Sequence, residues 1–249
     1  MEERITSRKN PLLVQVRRLL SSRSAREEAG LFVSDGTKLL EEAVRFCPGL
    51  DTVILSDGVE AETPPGVRRV RVPEDVMASI SPMSTPQGAL FLCRFPEKRT
   101  YVPRPGTILL DGIQDPGNLG TILRTADALN VPVVLMEGCA DPYSHKVVRS
   151  SMGAVFRTPP VTLTWEEASR ALKAAGIPVA ATAMDAKARD LRQADAGSLA
   201  VVIGSEGRGV RPEILLQAEK SLIIPMNPNC ESLNAAIAAA IVMWQMGTA

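Results

Sequence analysis

The sequence predicts an α/β protein in two parts: a small α/β unit, then a mostly parallel sheet covered on both faces. Short apolar runs alternate with stretches of helical periodicity along the whole chain. A charged, Pro-rich segment, Pro96-Glu-Lys-Arg-Thr-Tyr-Val-Pro-Arg-Pro-Gly106, interrupts that alternation. The parts are therefore read as 1–96, a linker over 97–106, and 107–249. In the first, helical spacing covers 11–20 and 37–46, and β-rich runs cover 30–34, 52–55, 67–72 and 88–93. In the second, apolar runs at 107–110, 131–136, 177–183, 199–203 and 222–224 read as buried strands. Helical stretches fall between and after them, at 118–129, 145–152, 166–175, 212–218 and 232–246. Regular strand–helix alternation implies parallel pairing. In such sheets ligands gather at the carboxyl ends of the strands.

Composition narrows the function classes. The chain has 249 residues, 45% hydrophobic and 22% charged, which excludes disorder and collagen-like structure. No apolar run approaches the roughly 18 residues of a membrane span; the longest, 235–244, is short and Ala-rich. No apolar stretch follows the first residues, so no signal peptide is expected. Cys47, Cys93, Cys139 and Cys230 lie far apart, which argues against a zinc cage or a disulfide framework. No metal is expected, and the thiols suit a reduced, cytoplasmic setting.

The 28 basic and 28 acidic residues cancel, yet their distribution is uneven. Arg4, Arg8, Lys9, Arg17, Arg18, Arg23 and Arg26 form a run without an acid. Such a run supplies phosphate contacts along a nucleic acid, or else is a solvated face at a chain end. A second acid-free stretch, 144–157, carries His145, Lys146, Arg149 and Arg157. With two Trp and two Tyr in the chain, aromatic base-stacking platforms are not expected.

Three loops after apolar runs hold the residues with chemistry. The first, Asp111-Gly-Ile-Gln-Asp-Pro-Gly-Asn118, leads into a helix with Gly120 and Arg124, and Asn118 is placed as its N-cap. A well-made βα turn with a surface arginine would look the same. The second, Gly204-Ser-Glu-Gly-Arg-Gly209, has three glycines in six residues, which lets backbone approach a ligand closely. It is neither a Walker loop nor G-x-G-x-x-G. Glu206 within it is a carboxylate aimed at a ligand or a plain loop acid. The third, Met226-Asn-Pro-Asn-Cys-Glu-Ser232, precedes Leu233-Asn234 and a helix apolar on nearly every side. Ser232 and Asn234 suit a helix start, and the helix either fills a core or meets a second subunit.

Together these segments resemble the three motifs of the SpoU (TrmH-like) RNA ribose 2′-O-methyltransferases of the SPOUT superfamily. The first is similar to D-P-x-N-x-G-x-x-x-R-T-A, the second to G-x-E-G-x-G, and the third to I-P-M followed by S-L-N. Asn10-Pro11 and Leu31-Phe-Val-Ser-Asp-Gly36 resemble that family's ribosomal-protein-like substrate-binding domain. The chain departs from the pattern at Asp35, Asn130 and Pro228; Pro228 removes a donor and fixes φ in the third loop.

The resemblance implies a trefoil-knotted C-terminal domain that binds S-adenosylmethionine and methylates RNA, with rRNA favoured over tRNA. It implies cofactor contacts at Gly204, Ile224 and Leu233, with Met226, Gly207 and Thr182 beside them. Arg124, Asn118, Glu206, Ser232 and Asn234 are the implied catalytic set. Arg124 is either the base or, being permanently charged, an electrostatic stabiliser. Arg8, Lys9, Arg17, Arg18 and Arg149 are expected to meet RNA, and the C-terminal domains to pair as a homodimer without membrane contact. Two other readings compete with this one: an RNA-binding protein with a decayed cofactor site, and an oxidoreductase. The intact Asn118, Arg124, Glu206 and Asn234 disfavour the first, and the missing phosphate fingerprint disfavours the second.

Overall fold

The computed structural model describes residues 2–97, 99–183, 188–205, 207–227, 229–230 and 232–247. Two compact units emerge: Met1–Glu97 with Tyr143–Pro159, and Lys98–Pro142 with Pro160–Ala249. The chain thus passes between units three times. The sequence suggested one passage, through a linker at 97–106, with 143–159 inside the second part. Local patterning reports helix or strand and says nothing about which core a helix joins, so this insertion was not legible.

Unit 1 starts with β1 (Glu2–Arg4) and α1 (Pro11–Ser21). Asn10 caps α1 by accepting the Leu12 N–H at 2.9 Å, and Pro11 starts it with a pre-set φ. Next come α2 (Arg23–Ala29), β2 (Leu31–Asp35), α3 (Thr37–Phe46), β3 (Leu50–Ser56), β4 (Arg68–Val72), α4 (Glu74–Ile80) and β5 (Ala89–Arg94). The strands order as β1-β4-β3-β5-β2; β1, β4 and β3 are parallel, while β5 pairs antiparallel with β3 and β2. Leu13, Val16, Leu19, Val33, Ile54, Val72 and Leu90 form its core. Each buried Leu or Ile contributes about 1.5–3 kcal/mol, against about 0–1 kcal/mol for a surface ion pair. Apolar packing therefore holds the unit. The elements β1, α2 and α4, of three to seven residues, are too short for periodicity to announce.

The inserted segment enters the sequence after α5 (Pro116–Ala128) and carries α6 (His145–Ser150) and α7 (Ala154–Arg157). Its aromatic residues complete a cluster. Tyr143 lies 5.1 Å from Phe32 and 4.9 Å from Phe95, and Phe156 lies 6.3 Å from Phe32. Arg157 pairs with Glu42 and lies over the Phe46 ring. All five phenylalanines of the chain belong to unit 1. Gly153, at φ +86°, packs so close to α3 that an added Cβ would sit 2.9 Å from the Glu42 Cβ.

Unit 2 is a seven-stranded, wholly parallel sheet. Its strands are β6 (Thr107–Asp111), β7 (Val133–Leu135), β8 (Val161–Thr162), β9 (Val179–Thr182), β10 (Arg189–Asp190), β11 (Ala200–Gly204) and β12 (Lys220–Ile223). Their order is β10-β12-β9-β11-β6-β7-β8. With α5, the helices are α8 (Trp165–Ala174), α9 (Pro212–Gln217) and α10 (Ala235–Gln245). The five strands read from the sequence are all present, and the two-residue β8 and β10 are additional. Strands β6 and β11 are buried throughout, apart from half-buried Gly204, as parallel strands under two helical layers must be. Among the described residues no helix is long and apolar enough to cross a membrane.

Candidate functional site

The carboxyl ends of β9, β11 and β12 open onto a cavity of about 400 Å³ in unit 2. Thr182, Gly204, Ile224, Met226, Ser232 and Leu233, six of the residues singled out from the sequence, line it. Apolar side chains of Val210, Leu215, Leu222 and Ala238 complete the wall. Gly207 is exposed and is not among the lining residues. Glu206 and Pro228 lie outside the described residues.

Gly204 is required by space. A Cβ there would overlap the Gly209 carbonyl group and the Val210 nitrogen, because the glycine loop doubles back on itself. The Gly209 N–H donates to the Ser205 carbonyl at 2.9 Å, and Gly209 takes φ +67°. Those two glycines let the loop turn beside the cavity.

The first turns of α5 and α10 meet through two amides. Asn234 caps α10: its Oδ1 accepts the Ala236 N–H at 2.9 Å and the Ile237 N–H at 3.3 Å. Its Nδ2 donates to Asn118 Oδ1 at 2.9 Å. Both ends of one amide are thus used, which only an Asn or Gln can do. The expectation that Asn118 caps α5 is corrected. Asp115 is the N-cap, accepting the Asn118 N–H at 2.8 Å, with Pro116 next. Asp-Pro is the better start, since Pro has no N–H to satisfy at that position. Asn118 is freed to face α10. Ser232 lines the cavity and is not the cap.

Arg124 lies on the exposed side of α5 and has no hydrogen-bond or ion-pair partner among the described residues. Neither it nor Asn118 lines the cavity. Sequence reasoning missed a neighbouring pair. Asp111, buried at the end of β6, accepts the Arg211 backbone N–H at 2.8 Å and its Nε–H at 2.7 Å. Burial lowers the Arg211 pKa, but Asp111 and Glu137 more than reverse this and leave it raised. The available signal was an acid ending an otherwise apolar strand. No group of metal-ligating side chains occurs among the described residues.

The residues expected to meet RNA are in unit 1, and most have partners. Arg8 pairs with Asp75 at 2.6 Å, Arg18 with Glu28 at 2.7 Å, and Arg149 with Asp35 at 3.0 Å. Arg17 donates to the Arg8 and Ser79 carbonyls, and Lys9 is exposed without an ion pair among the described residues. Arg26 is buried, donating to the Leu19 carbonyl at 2.6 Å. The run that lacks acids in sequence is largely neutralised in space by acids such as Asp57 and Asp75, over 50 residues away. The exposed pairs Arg8–Asp75 and Arg18–Glu28 are weak enough for a phosphate to displace them, whereas the Asp35 partner of Arg149 is buried.

The last helix divides by exposure rather than by chemistry. Ala235, Ala236, Ala239, Val242 and Met243 are buried. Ile237, Ile241 and Trp244, spaced i, i+4, i+7, are 53%, 38% and 71% exposed.

Comparisons with known proteins bear on both units. Residues 105–244 match the SpoU rRNA Methylase family, and residues 10–90 match the MRM3-like substrate binding domain. The chain is 33% identical over 231 residues to the Bacillus subtilis 23S rRNA (guanosine(2553)-2′-O)-methyltransferase RlmP, covering 91% of this chain and 92% of that protein. It is 30% identical to human mitochondrial rRNA methyltransferase 3, across 94% of this chain and 71% of the relative. An AdoMet-bound rRNA methyltransferase from Sinorhizobium meliloti superposes with a TM-score of 0.86 at 29% identity, covering 98% of this chain and 97% of that one. The AdoMet complex of the SpoU methyltransferase AviRb from Streptomyces viridochromogenes gives 0.82 at 25%, covering 95% and 97%.

Proposed function

Because this chain belongs to the SpoU rRNA methylase family, we propose that its unit 2 cavity holds S-adenosylmethionine while a ribose 2′-hydroxyl of ribosomal RNA is methylated beside it. The chain is an S-adenosylmethionine-dependent RNA ribose 2′-O-methyltransferase, as its family and its RlmP relative indicate. The observation that carries the site is the cavity itself: glycine-edged, mostly apolar, and lined by Gly204, Gly209, Ile224, Met226, Ser232 and Leu233 of the second and third motifs.

The residues fit that cofactor. A volume of about 400 Å³ lies within the range of small-ligand pockets. Gly204 brings backbone donors and acceptors to the rim, and Ile224, Met226 and Leu233 give an uncharged wall suited to the adenosine of the cofactor. When bound, S-adenosylmethionine supplies a methyl group on a sulfonium. The protein must make the 2′-oxygen nucleophilic and orient it. A guanidinium serves as a cation rather than as a base. The charge of Arg124 stabilises the alkoxide as it forms, which eases loss of the hydroxyl proton to solvent. Asn234 fixes Asn118 through one hydrogen bond and its own helix through two more. Glu206, by motif, orients the arginine.

In this reading unit 1 delivers RNA through Arg8, Lys9, Arg17, Arg18 and Arg149. The match to a substrate binding domain supports that division. The Ile237–Ile241–Trp244 stripe supports a homodimer through α10, since a two-fold pairing buries the same strip on both subunits. The trefoil knot and a cytoplasmic setting are proposed on family grounds.

The test is incubation of purified protein with S-adenosylmethionine and unmodified rRNA or tRNA, followed by mass spectrometry of the nucleosides. A 2′-O-methyl nucleoside in rRNA is expected. Modification of tRNA alone would overturn the substrate, and modification of neither would overturn the reaction.

A further inference from the structure

We propose that Asp111 and Arg211 are a positioning pair that sets the shape of the glycine loop and hence the affinity for S-adenosylmethionine. The proposal rests on the reading that the unit 2 cavity takes this cofactor. Strands β6 and β11 run parallel in a register that sets Asp111 beside Gly204, where the loop begins. The loop ends at Arg211, whose backbone N–H and Nε–H both bond to the Asp111 carboxylate. Asp111 thus adjoins the loop's entry through its strand pairing and holds its exit through its buried carboxylate. Between those points lie Ser205, Arg208, Gly209 and Val210, all of which line the cavity.

Two features make this more than a stabilising ion pair. Asp111 also roots the first loop: four residues on, Asp115 caps α5, the helix that carries Asn118 and Arg124. The same side chain thus stands at the base of the cofactor loop and of the loop that leads to the catalytic helix. The Arg211 fork is also fully engaged. Its Nη2 donates to Glu137 at 3.1 Å, and its Nη1 lies 3.5 Å from Glu213. A planar, multiply bonded guanidinium holds a backbone direction that an ammonium cannot. Releasing it leaves the glycines at 204, 207 and 209 free to take other turns, and the cavity wall loses its preformed shape.

The test measures S-adenosylmethionine binding by calorimetry, and turnover, for wild type, Asp111→Asn, Arg211→Lys and the double variant. Asp111→Asn keeps an acceptor for the Arg211 N–H. Arg211→Lys keeps the charge and the backbone bond but removes the fork. Each single variant should raise the S-adenosylmethionine Kd and KM about tenfold or more, with kcat at saturating cofactor falling less. The double variant should be no worse than about twofold beyond the weaker-binding single, because the pair acts as one device. A purely structural pair would lower melting temperature while the folded fraction kept its Kd. The proposal is overturned if both folded single variants bind within about twofold of wild type, or if their effects add fully. Should Asp111→Asn fail to fold, Arg211→Lys decides alone. A wild-type chain that binds no S-adenosylmethionine would overturn the proposed function, and this proposal with it.

Discussion

Unit 1 and unit 2 are both α/β, yet they use sheet topology differently. The wholly parallel sheet of unit 2 sends the loops after β9, β11 and β12 to one edge, where they close a cavity lined by the second and third motifs, and the first motif meets the third through Asn118 and Asn234. The mixed sheet of unit 1 sends its loops both ways. Charge differs too. Unit 1 commits most of its named arginines to acids or carbonyls, whereas Arg124 in unit 2 has no such partner among the described residues. Parallel pairing concentrates chemistry at one edge. The mixed unit offers instead a broad surface of weakly paired cations, suited to a polyanion.

Substitutions that act in one unit alone test that contrast. The largest effect should come from Arg124→Ala, which lowers turnover about 10²–10³-fold while leaving S-adenosylmethionine affinity unchanged. Single-turnover methylation measured beside calorimetry checks both halves, and near-wild-type turnover would remove Arg124 from the site. Gly204→Ala should follow, weakening S-adenosylmethionine binding by up to about 10²-fold, since the added Cβ overlaps the Gly209 carbonyl and forces the loop aside. RNA affinity should not change.

In unit 1, replacing Arg8, Lys9 and Arg18 singly by Ser should each reduce the salt slope of RNA binding by about one, with S-adenosylmethionine binding intact. Slopes that stay at the wild-type value would mean these cations serve only their acidic partners.

The smallest effect is a pH dependence confined to unit 1. Burial lowers the His145 pKa below its ordinary value of about 6.5, with Lys146, Arg26 and Arg149 acting in the same direction and Asp35 opposing. A lowered imidazole takes its proton more readily in the unfolded chain. Its stabilising contribution is therefore present above about pH 6.5 and lost as pH falls through that value. Asp35, whose pKa burial raises against Arg149 and His145, has the opposite sign, favouring the folded state as it protonates at lower pH. Between pH 7.5 and 5.5 the melting temperature should drop by no more than about 2–4 °C, and His145→Gln should flatten the drop. An unchanged slope in that variant would assign the loss elsewhere.

Much of this contrast was legible in the sequence. Apolar runs of four and five residues located β6 and β11, and cavity residues such as Gly204, Ile224 and Leu233 were visible because glycine spacing and motif order are local. Three things were hidden because they depend on distance in space. The acids that pair with Arg8 and Arg18 come from α4 and the end of α2. The Asp111–Arg211 contact spans 100 residues. The membership of Tyr143–Pro159 in unit 1 rests on aromatic packing that no periodicity encodes. The Asn118 cap was misplaced because Asp115-Pro116 gives an equally local signal that wins on chemistry.

Hydrogen–deuterium exchange with each ligand separately tests the division of labour most directly. S-adenosylmethionine should slow exchange in peptides covering 203–210, 222–226 and 232–238 and leave unit 1 unchanged. An rRNA fragment should slow exchange around residues 8–18 and 145–157. Protection of unit 1 by S-adenosylmethionine, or of neither unit, would contradict the account.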